Sequence, residues 1–471
     1  MKAVQIVPNY IAFARFMNKS NSFPCKINAF NVLLNQIEQF FKNHLFIIYL
    51  CRMAKSIQEI TKQYNKRFPN FAIDLRKESF LKNLNTIIVI PCHKEDEIIE
   101  TLQSLANCDE PDCPSLVMIF VNASESSTKE IKEFNENSIK DITDFIANTN
   151  IKNIQFKAFI NNELPTKHAG VGYARKTLMD TALAIFTEQN YDGVIINTDA
   201  DCLFTKNYFT AIETAFKSSK AKHGVMHFEH RIDSEKNEIL AKGITEYELH
   251  LRYYKQALDW TGYPNVMHNI GSCMICRASL YALEGGMNKR KAGEDFYFMN
   301  KLAKSHAYIE VKNASVLPSC RTSDRVPFGT GKAMNDYIKN QTYVFQTYDF
   351  KSFVELKKLF DKVKLIHESS FSEIPDFIEE TTFEFLKTIS FESNLKKIKK
   401  QSKDIEAFNK NFFLWFDHLK ALQFIHYYTD HIYNKINIDK ACKQHLTEIN
   451  KENITSTVRE LLDLYRETDK I

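Results

Sequence analysis

"GVIINTDADCLF", residues 193–204, sets two carboxylates, Asp199 and Asp201, one residue apart at the end of a Val/Ile run and then returns at once to apolar side chains. A short apolar run bounded by turn residues reads as a buried strand, here over 193–197. "TIIVIP" (86–91), "LVMIFV" (116–121) and "NIQFKAFI" (153–160) read the same way. Helical stretches separate them. Ile98, Ile99, Leu102, Leu105 and Ala106 share one face, and Val171, Ala174, Leu178, Ala182 and Ile185 share another, in a helix opening at Gly170. Tyr208, Phe209, Ile212, Ala215 and Phe216 point inward from a third. Strand and helix in alternation imply right-handed crossovers and a mainly parallel sheet. Ligands of such sheets bind beyond the carboxyl ends of the strands. That rule gathers "PCHKED" (91–96), "NASES" (122–126), "NNELPTKHAG" (161–170) and "TDADC" (198–202) on one rim.

The rest of the composition is that of an ordinary globular protein. A chain of 471 residues suffices for a large core and more than one domain. Lys plus Arg (62) nearly balances Asp plus Glu (58), so a net charge of +4 gives no whole-molecule attraction to nucleic acid. Ten scattered cysteines without a signal-peptide pattern are expected as reduced thiols in a cytoplasmic setting. Cys273 and Cys276 have zinc-ligand spacing but no second pair, and read as small residues of a buried strand. "LFIIYLC" (45–51) is too short to cross a bilayer, which leaves peripheral contact with the inner face of a membrane open.

Residues 1–52 hold one acid, Glu38, against six Lys and Arg, and read as an extension outside the functional unit or a targeting-like segment. A helical lead-in (53–84) follows, then the sheet domain (85–334) and a helical C-terminal region (335–471). In that region Phe408, Phe412, Trp415, Leu419 and Leu422 form an apolar stripe. It reads first as core, with a homodimer contact, acceptor docking or membrane-surface contact as alternatives.

Two adjacent acids repel, by about 4 kcal/mol at ~4 Å and an effective dielectric near 20. A divalent cation reverses the sign, and hard oxygen ligands suit Mn²⁺ or Mg²⁺. "GVGYARK" (170–176) adds Gly170, Gly172, Arg175 and Lys176 at a helix amino end, a combination that favours phosphate. In "AGEDFYFMNKL" (292–302) Glu294 and Asp295 precede a helix, either as its cap or as a base for an attacking hydroxyl.

The ordered set "IPCHKEDEIIETLQSL", "GVGYARK", "NTDADC", "NIGSCMICRASLYALEGGM" and "AGEDFYFMNKL" resembles the family-2 glycosyltransferases of GT-A fold over roughly residues 85–330. The resemblance implies an inverting, metal-dependent transfer of a sugar from a nucleotide-diphosphate sugar to a hydroxyl acceptor. That acceptor would be a glycan, a lipid-linked glycan or a small molecule, in surface polysaccharide or glycoconjugate synthesis. It also implies that Asp199 and Asp201 bind metal and donor, that Pro91, His93 and Glu95 frame the base and ribose, and that Asp295 is the catalytic base with Glu294 beside the acceptor. Asn122 stands where relatives often carry an acid that meets the nucleobase, so the base stays unnamed. "PSCRTSDRVPFGTGKA" (318–333) brings Arg321, Arg325 and Lys332 in a loop read as a lid, with Arg325 over the donor phosphates. The alternatives are an inactive GT-A scaffold that binds partners and a sugar-phosphate nucleotidyltransferase. The second would place a Gly-rich loop after the first strand, and "PCHKEDE" has no glycine.

Overall fold

The computed structural model describes residues 55–69, 71–75, 78–303, 307–323, 329–340, 344–450 and 457–471. The chain divides into two units, Met1–Glu59 and Ile60–Ile471. The expectation for residues 1–52 lies outside the described residues, and the architecture below is that of the second unit.

After α1 (Ile57–Arg67), three apolar runs build the centre of a sheet: β1 (Thr86–Cys92), β2 (Ser115–Ser124) and β4 (Val194–Asn197). Their side chains are buried on both faces, as strands covered by helices on either side require. β1 pairs in parallel with β2 and β4, and β2 with β3 (Ile154–Leu164). Those four carboxyl ends therefore share one rim. The crossovers are α2 (Ile98–Ala106), α3 (Lys129–Asn148) and α4 (Val171–Glu188).

The other half of the sheet is mixed. β7 (Met274–Arg277) runs antiparallel to β4 and to β6 (His223–Phe228), β6 pairs in parallel with β8 (Tyr308–Pro318), and β8 takes β5 (Cys202–Phe204) antiparallel. The full order is β3-β2-β1-β4-β7-β6-β8-β5. α5 (Tyr208–Ser218), α6 (Glu238–Trp260), α7 (Ala278–Leu283), α8 (Glu294–Ala303) and α9 (Thr330–Lys339) complete the domain. This is the expected α/β architecture of GT-A type, Rossmann-like and mainly parallel. Cys273 and Cys276 are buried at β7.

α4 differs from the one-faced helix expected, because Arg175, Lys176 and Asp180 are buried along with its apolar residues. α6 has no counterpart in the sequence reading. Its buried positions include Glu246, Glu248 and Arg252, and these charges interrupt the apolar period that would betray it.

The C-terminal region consists of α10 (Phe350–Asp361), α11 (Val363–Glu368), α12 (Glu380–Thr388), α13 (Phe391–Gln401), α14 (Ile405–Trp415), α15 (His418–His431), α16 (Ile438–Glu448) and α17 (Val458–Lys470). Two short strands, β9 (Gln346–Thr347) and β10 (Ile436–Asn437), pair antiparallel between them. The expected 408–422 stripe is split, because the chain leaves the helix after Trp415 and Asp417 caps α15 by accepting from the Lys420 amide. Phe408 and Phe412 are buried, and α15 buries Ala421, Phe424, Ile425 and Tyr428 instead. These helices share one core with α6, through Leu249, Tyr253, Phe353, Leu356, Phe424 and Leu461.

A buried ionic cluster ties α17 to α6. Glu248 accepts from Arg252 Nε (2.9 Å) and from Arg466 Nε and Nη2 (2.8 and 2.9 Å), while Arg252 Nη1 donates to Asp469 Oδ2 (2.6 Å). Against burial, Arg252 and the bonds from His230 and Arg466 hold the Glu248 carboxyl well below the usual range.

The β6 and β8 pairing is what carries Pro318, and Arg321 beyond it, toward the rim. At Gly224 a Cβ would lie 2.2 Å from the Ile309 carbonyl oxygen on the neighbouring strand. Gly224→Ala is therefore expected to push β6 off β8 and to lower stability by about 1–3 kcal/mol, read as a fall in Tm. An unchanged Tm would mean that the strands are not packed this closely.

Candidate active site

The Asp199 and Asp201 carboxylates sit in the turn between β4 and β5. Two contacts fix that turn: Thr198 N donates to Val89 O (3.1 Å), and the buried Thr101 Oγ1 of α2 donates to Ala200 O (2.9 Å). The first turn of α4 delivers Arg175 from one side. Its Nη2 is 2.5 Å from Asp199 Oδ1, and its Nη1 donates to Glu294 Oε1 at the start of α8. Arg175 and Glu294 are both buried, whereas Asp199 is 39% exposed and opens to the rim. Burial, with the charges of Asp201 and Asp295, pushes the Asp199 carboxyl up against the pull of Arg175. Burial raises the Glu294 carboxyl in the same way, with Arg175 opposing.

A second cluster lies on the other side of the pair. Arg321, three residues beyond β8, donates from Nε and Nη2 to Asp201 Oδ2 (3.1 and 2.8 Å) and from Nη2 to Glu95 Oε2. Arg231 bonds Glu97 and reaches the Asp201 carbonyl oxygen at 3.2 Å, and Ser319 Oγ donates to Glu97 Oε1 (3.0 Å). Six carboxylates, Glu95, Glu97, Asp199, Asp201, Glu294 and Asp295, thus surround three guanidiniums, Arg175, Arg231 and Arg321. The excess of negative charge suits a divalent cation. Asp199 and Asp201 each keep one oxygen outside these ion pairs, and among the described residues no three His, Cys, Asp or Glu groups are gathered to hold a metal. Two carboxylates with one oxygen each to spare would hold Mn²⁺ or Mg²⁺ only with water and diphosphate oxygens in the remaining positions.

The remaining predicted residues fall into place around this centre, or away from it. Pro91 lies near the end of β1, and His93 Nδ1 is 2.7 Å from Asn122 O, so the two strand ends are bridged. Asn122 is buried and donates to Cys92 O and Phe120 O (both 3.1 Å). Asn135, from α3, donates to Asn122 O (3.1 Å) and Asn162 Oδ1 (2.9 Å) and accepts from the Lys94 amide (3.1 Å). The Asn122 side chain is thereby committed to holding the rim together. Gly170 and Gly172 permit a close approach, but by the chain's own 288–291 loop: a Cβ at Gly172 would lie 2.3 Å from Arg290 O, and one at Gly170 3.1 Å from Lys291 Cα.

Lys176 is not brought to the acids. Its ammonium donates to Tyr64 Oη (2.7 Å) and pairs with Asp180 Oδ2 (3.0 Å) in the interior behind α4. Lys332 pairs with Asp336 on α9. Arg325 and the middle of its loop lie outside the described residues. Asp295, half-buried at the amino end of α8, makes no ion pair among the described residues.

Sequence reasoning missed Arg231, Glu97 and Gly271. A Cβ at Gly271 would lie 2.4 Å from Arg175 Nη2, so this glycine makes room for the guanidinium. Glu97 stands inside the quoted "PCHKEDE" and Gly271 inside "NIGSCMIC", where either was open to notice; "EHRID" around Arg231 carries no motif.

No protein-family model matches the chain, and no curated protein matches it. Among solved structures the chain is similar to S. aureus TarS 1–349, at 12% identity over 70% of this chain and 89% of that one, with a TM-score of 0.33. The same protein in complex with UDP-GlcNAc matches at 13% identity over 82% and 92%, TM-score 0.34. Its complex with UDP matches at 13% over 69% and 89%, TM-score 0.35. The functional reading rests on the site's own residues.

The neighbours Arg175 and Lys176 should separate cleanly on substitution. Lys176→Met leaves Asp180 buried beside Tyr64 and Tyr281 without its cation, and should lower stability by about 3 kcal/mol while leaving any sugar-nucleotide KM of the folded protein unchanged. A rise in donor KM at unchanged Tm would put Lys176 back among the binding residues.

Proposed function

We propose that the protein is an inverting glycosyltransferase that moves a sugar from a nucleotide-diphosphate sugar to a hydroxyl acceptor. The observation that carries this reading is the division of labour between two adjacent acids. Glu294 is buried and bonded to Arg175, which also holds Asp199, while Asp295 stays half-buried and without an ion pair among the described residues. A carboxylate that stays partly exposed beside the Asp199 and Asp201 pair, with Oδ1 accepting only from the Phe296 amide among the described residues (2.7 Å), is what a general base needs.

In the reaction Asp295 accepts the proton of the acceptor hydroxyl. The acceptor oxygen bonds to the anomeric carbon from the face opposite the diphosphate, and the bond from that carbon to the diphosphate oxygen breaks, its electron pair leaving with the nucleoside diphosphate. Arg175, fixed by Asp199 and Glu294, places permanent positive charge beside the leaving group. A divalent cation at Asp199 and Asp201, when bound, takes up charge developing on the diphosphate. Glu95 and Arg321 shape the donor side of the same rim.

Two substitutions test the assignment with a panel of UDP-, GDP-, CDP- and dTDP-sugars. Asp295→Asn is expected to cut transfer about 10²- to 10⁴-fold while donor binding by calorimetry stays within a few-fold; full activity would remove Asp295 as the base. With Mn²⁺ at 100 times its Kd, wild type should gain about 2.7 kcal/mol in thermal unfolding, and Asp201→Asn should lose that gain. Equal stabilisation of both proteins would remove the metal from this pair.

A further inference from the structure

The segment 268–273, between α6 and β7, touches the site on one side and the C-terminal helices on the other. Toward the site, Gly271 is the surface on which the Arg175 guanidinium rests: an added Cβ would lie 2.4 Å from Nη2, 2.5 Å from Nη1 and 2.8 Å from Cζ. Toward the tail, His268 Nε2 is 3.0 Å from Asp469 Oδ2 of α17, and Asn269 Nδ2 is 3.3 Å from His418 Nδ1 at the start of α15. His268 and Asp469 are both buried.

Neither anchor is loose. Asp469 also accepts from Arg252 (2.6 Å), Gln256 (2.9 Å) and Lys255 (3.2 Å), all on α6. The Phe228 ring stands edge-on to His268 (5.0 Å between centroids) and lies under the Arg252 guanidinium (4.6 Å). His418 is packed between Tyr254 and Phe296, the residue after Asp295. Within the segment, Cys273 N donates to Ile270 O (3.0 Å), which closes the turn that holds Gly271, three residues from His268.

We infer that the C-terminal helix positions the donor-site arginine: Asp469 holds His268, His268 fixes the 268–271 backbone, and Gly271 seats Arg175 between Asp199 and Glu294. Asp469 and His268 touch none of the reacting groups and act through Arg175. The catalytic consequence rests on the transferase reading; the positioning does not. Loss of the anchor lets the 268–271 backbone move and Arg175 with it, and a misplacement of ~1 Å costs up to ~10²-fold in rate.

The test uses the full chain with ¹⁵N-labelled arginine and follows the Arg175 Nε–Hε resonance, assigned by its loss in Arg175→Lys. Asp469→Asn and His268→Asn should each shift that resonance, and Arg459→Ala on the same helix, which removes only the surface pairs of Arg459 with Asp233 and Asp463, should not. His268→Asn leaves the bonds of Asp469 to Arg252 and Lys255 in place, so it carries the test if Asp469→Asn does not fold. Where a panel sugar nucleotide is turned over, folded Asp469→Asn should lose about 10- to 10²-fold in kcat, with no further loss when added to Arg175→Lys. An unmoved resonance in the folded variants, or additive losses in the double variant, would overturn the inference. Absence of turnover of every panel member by wild type would instead overturn the transferase reading and leave the resonance to decide the positioning.

Discussion

One buried guanidinium holds the rim in register. Arg175 joins three segments distant in sequence, namely the start of α4, the turn after β4 and the start of α8, by bonding Asp199 with one nitrogen and Glu294 with the other. Without it those carboxylates, together with Asp295 and Asp201, would repel at short range in a poorly solvated pocket, at a cost of several kcal/mol. A lysine would serve less well, because its ammonium lacks the planar fork that meets two acids with separate nitrogens in fixed directions. One positive charge between two acids leaves the group negative, and desolvation together with the neighbouring acids pushes Asp199 and Glu294 up in spite of Arg175. The site is assembled with an appetite for further positive charge.

The same arrangement recurs on the opposite side, where Arg321 is shared by Asp201 and Glu95, and Arg231 by Glu97 and the Asp201 carbonyl. A cation entering between Asp199 and Asp201 would take over part of the role that Arg175 and Arg321 play there. The guanidiniums so relieved would be left facing the rim, where an anionic diphosphate could use them. Cation and diphosphate would thus support each other's binding.

The parallel part of the sheet was legible because its central strands are short apolar runs rich in Val and Ile, and its rim follows from parallel order alone. Asp199, Asp201, Arg175, Glu294 and Asp295 were legible for a similar reason, each lying in a short motif at a strand or helix end. Long-range charge pairing was not. α6 was hidden because Glu248 and Arg252 occupy its buried face, and their partners Arg466 and Asp469 lie more than two hundred residues away. The glycines misled in detail, since Gly170 and Gly172 accommodate the 288–291 loop and the glycine that bears on Arg175 is Gly271. Nothing local distinguishes a glycine that faces a ligand from one that faces another stretch of chain.

Helix geometry explains why adjacent residues of like charge part company here. Successive positions on a helix are rotated by about 100°, so two neighbours point in different directions. On α4 the rotation gives Arg175 to the acids and turns Lys176 inward to Asp180 and Tyr64. On α8 it gives Glu294 to Arg175 and leaves Asp295 without an ion pair among the described residues. Asp199 and Asp201 sit instead in the turn between β4 and β5, where one meets Arg175 and the other Arg321. An adjacent pair on either helix is thereby divided between different surroundings.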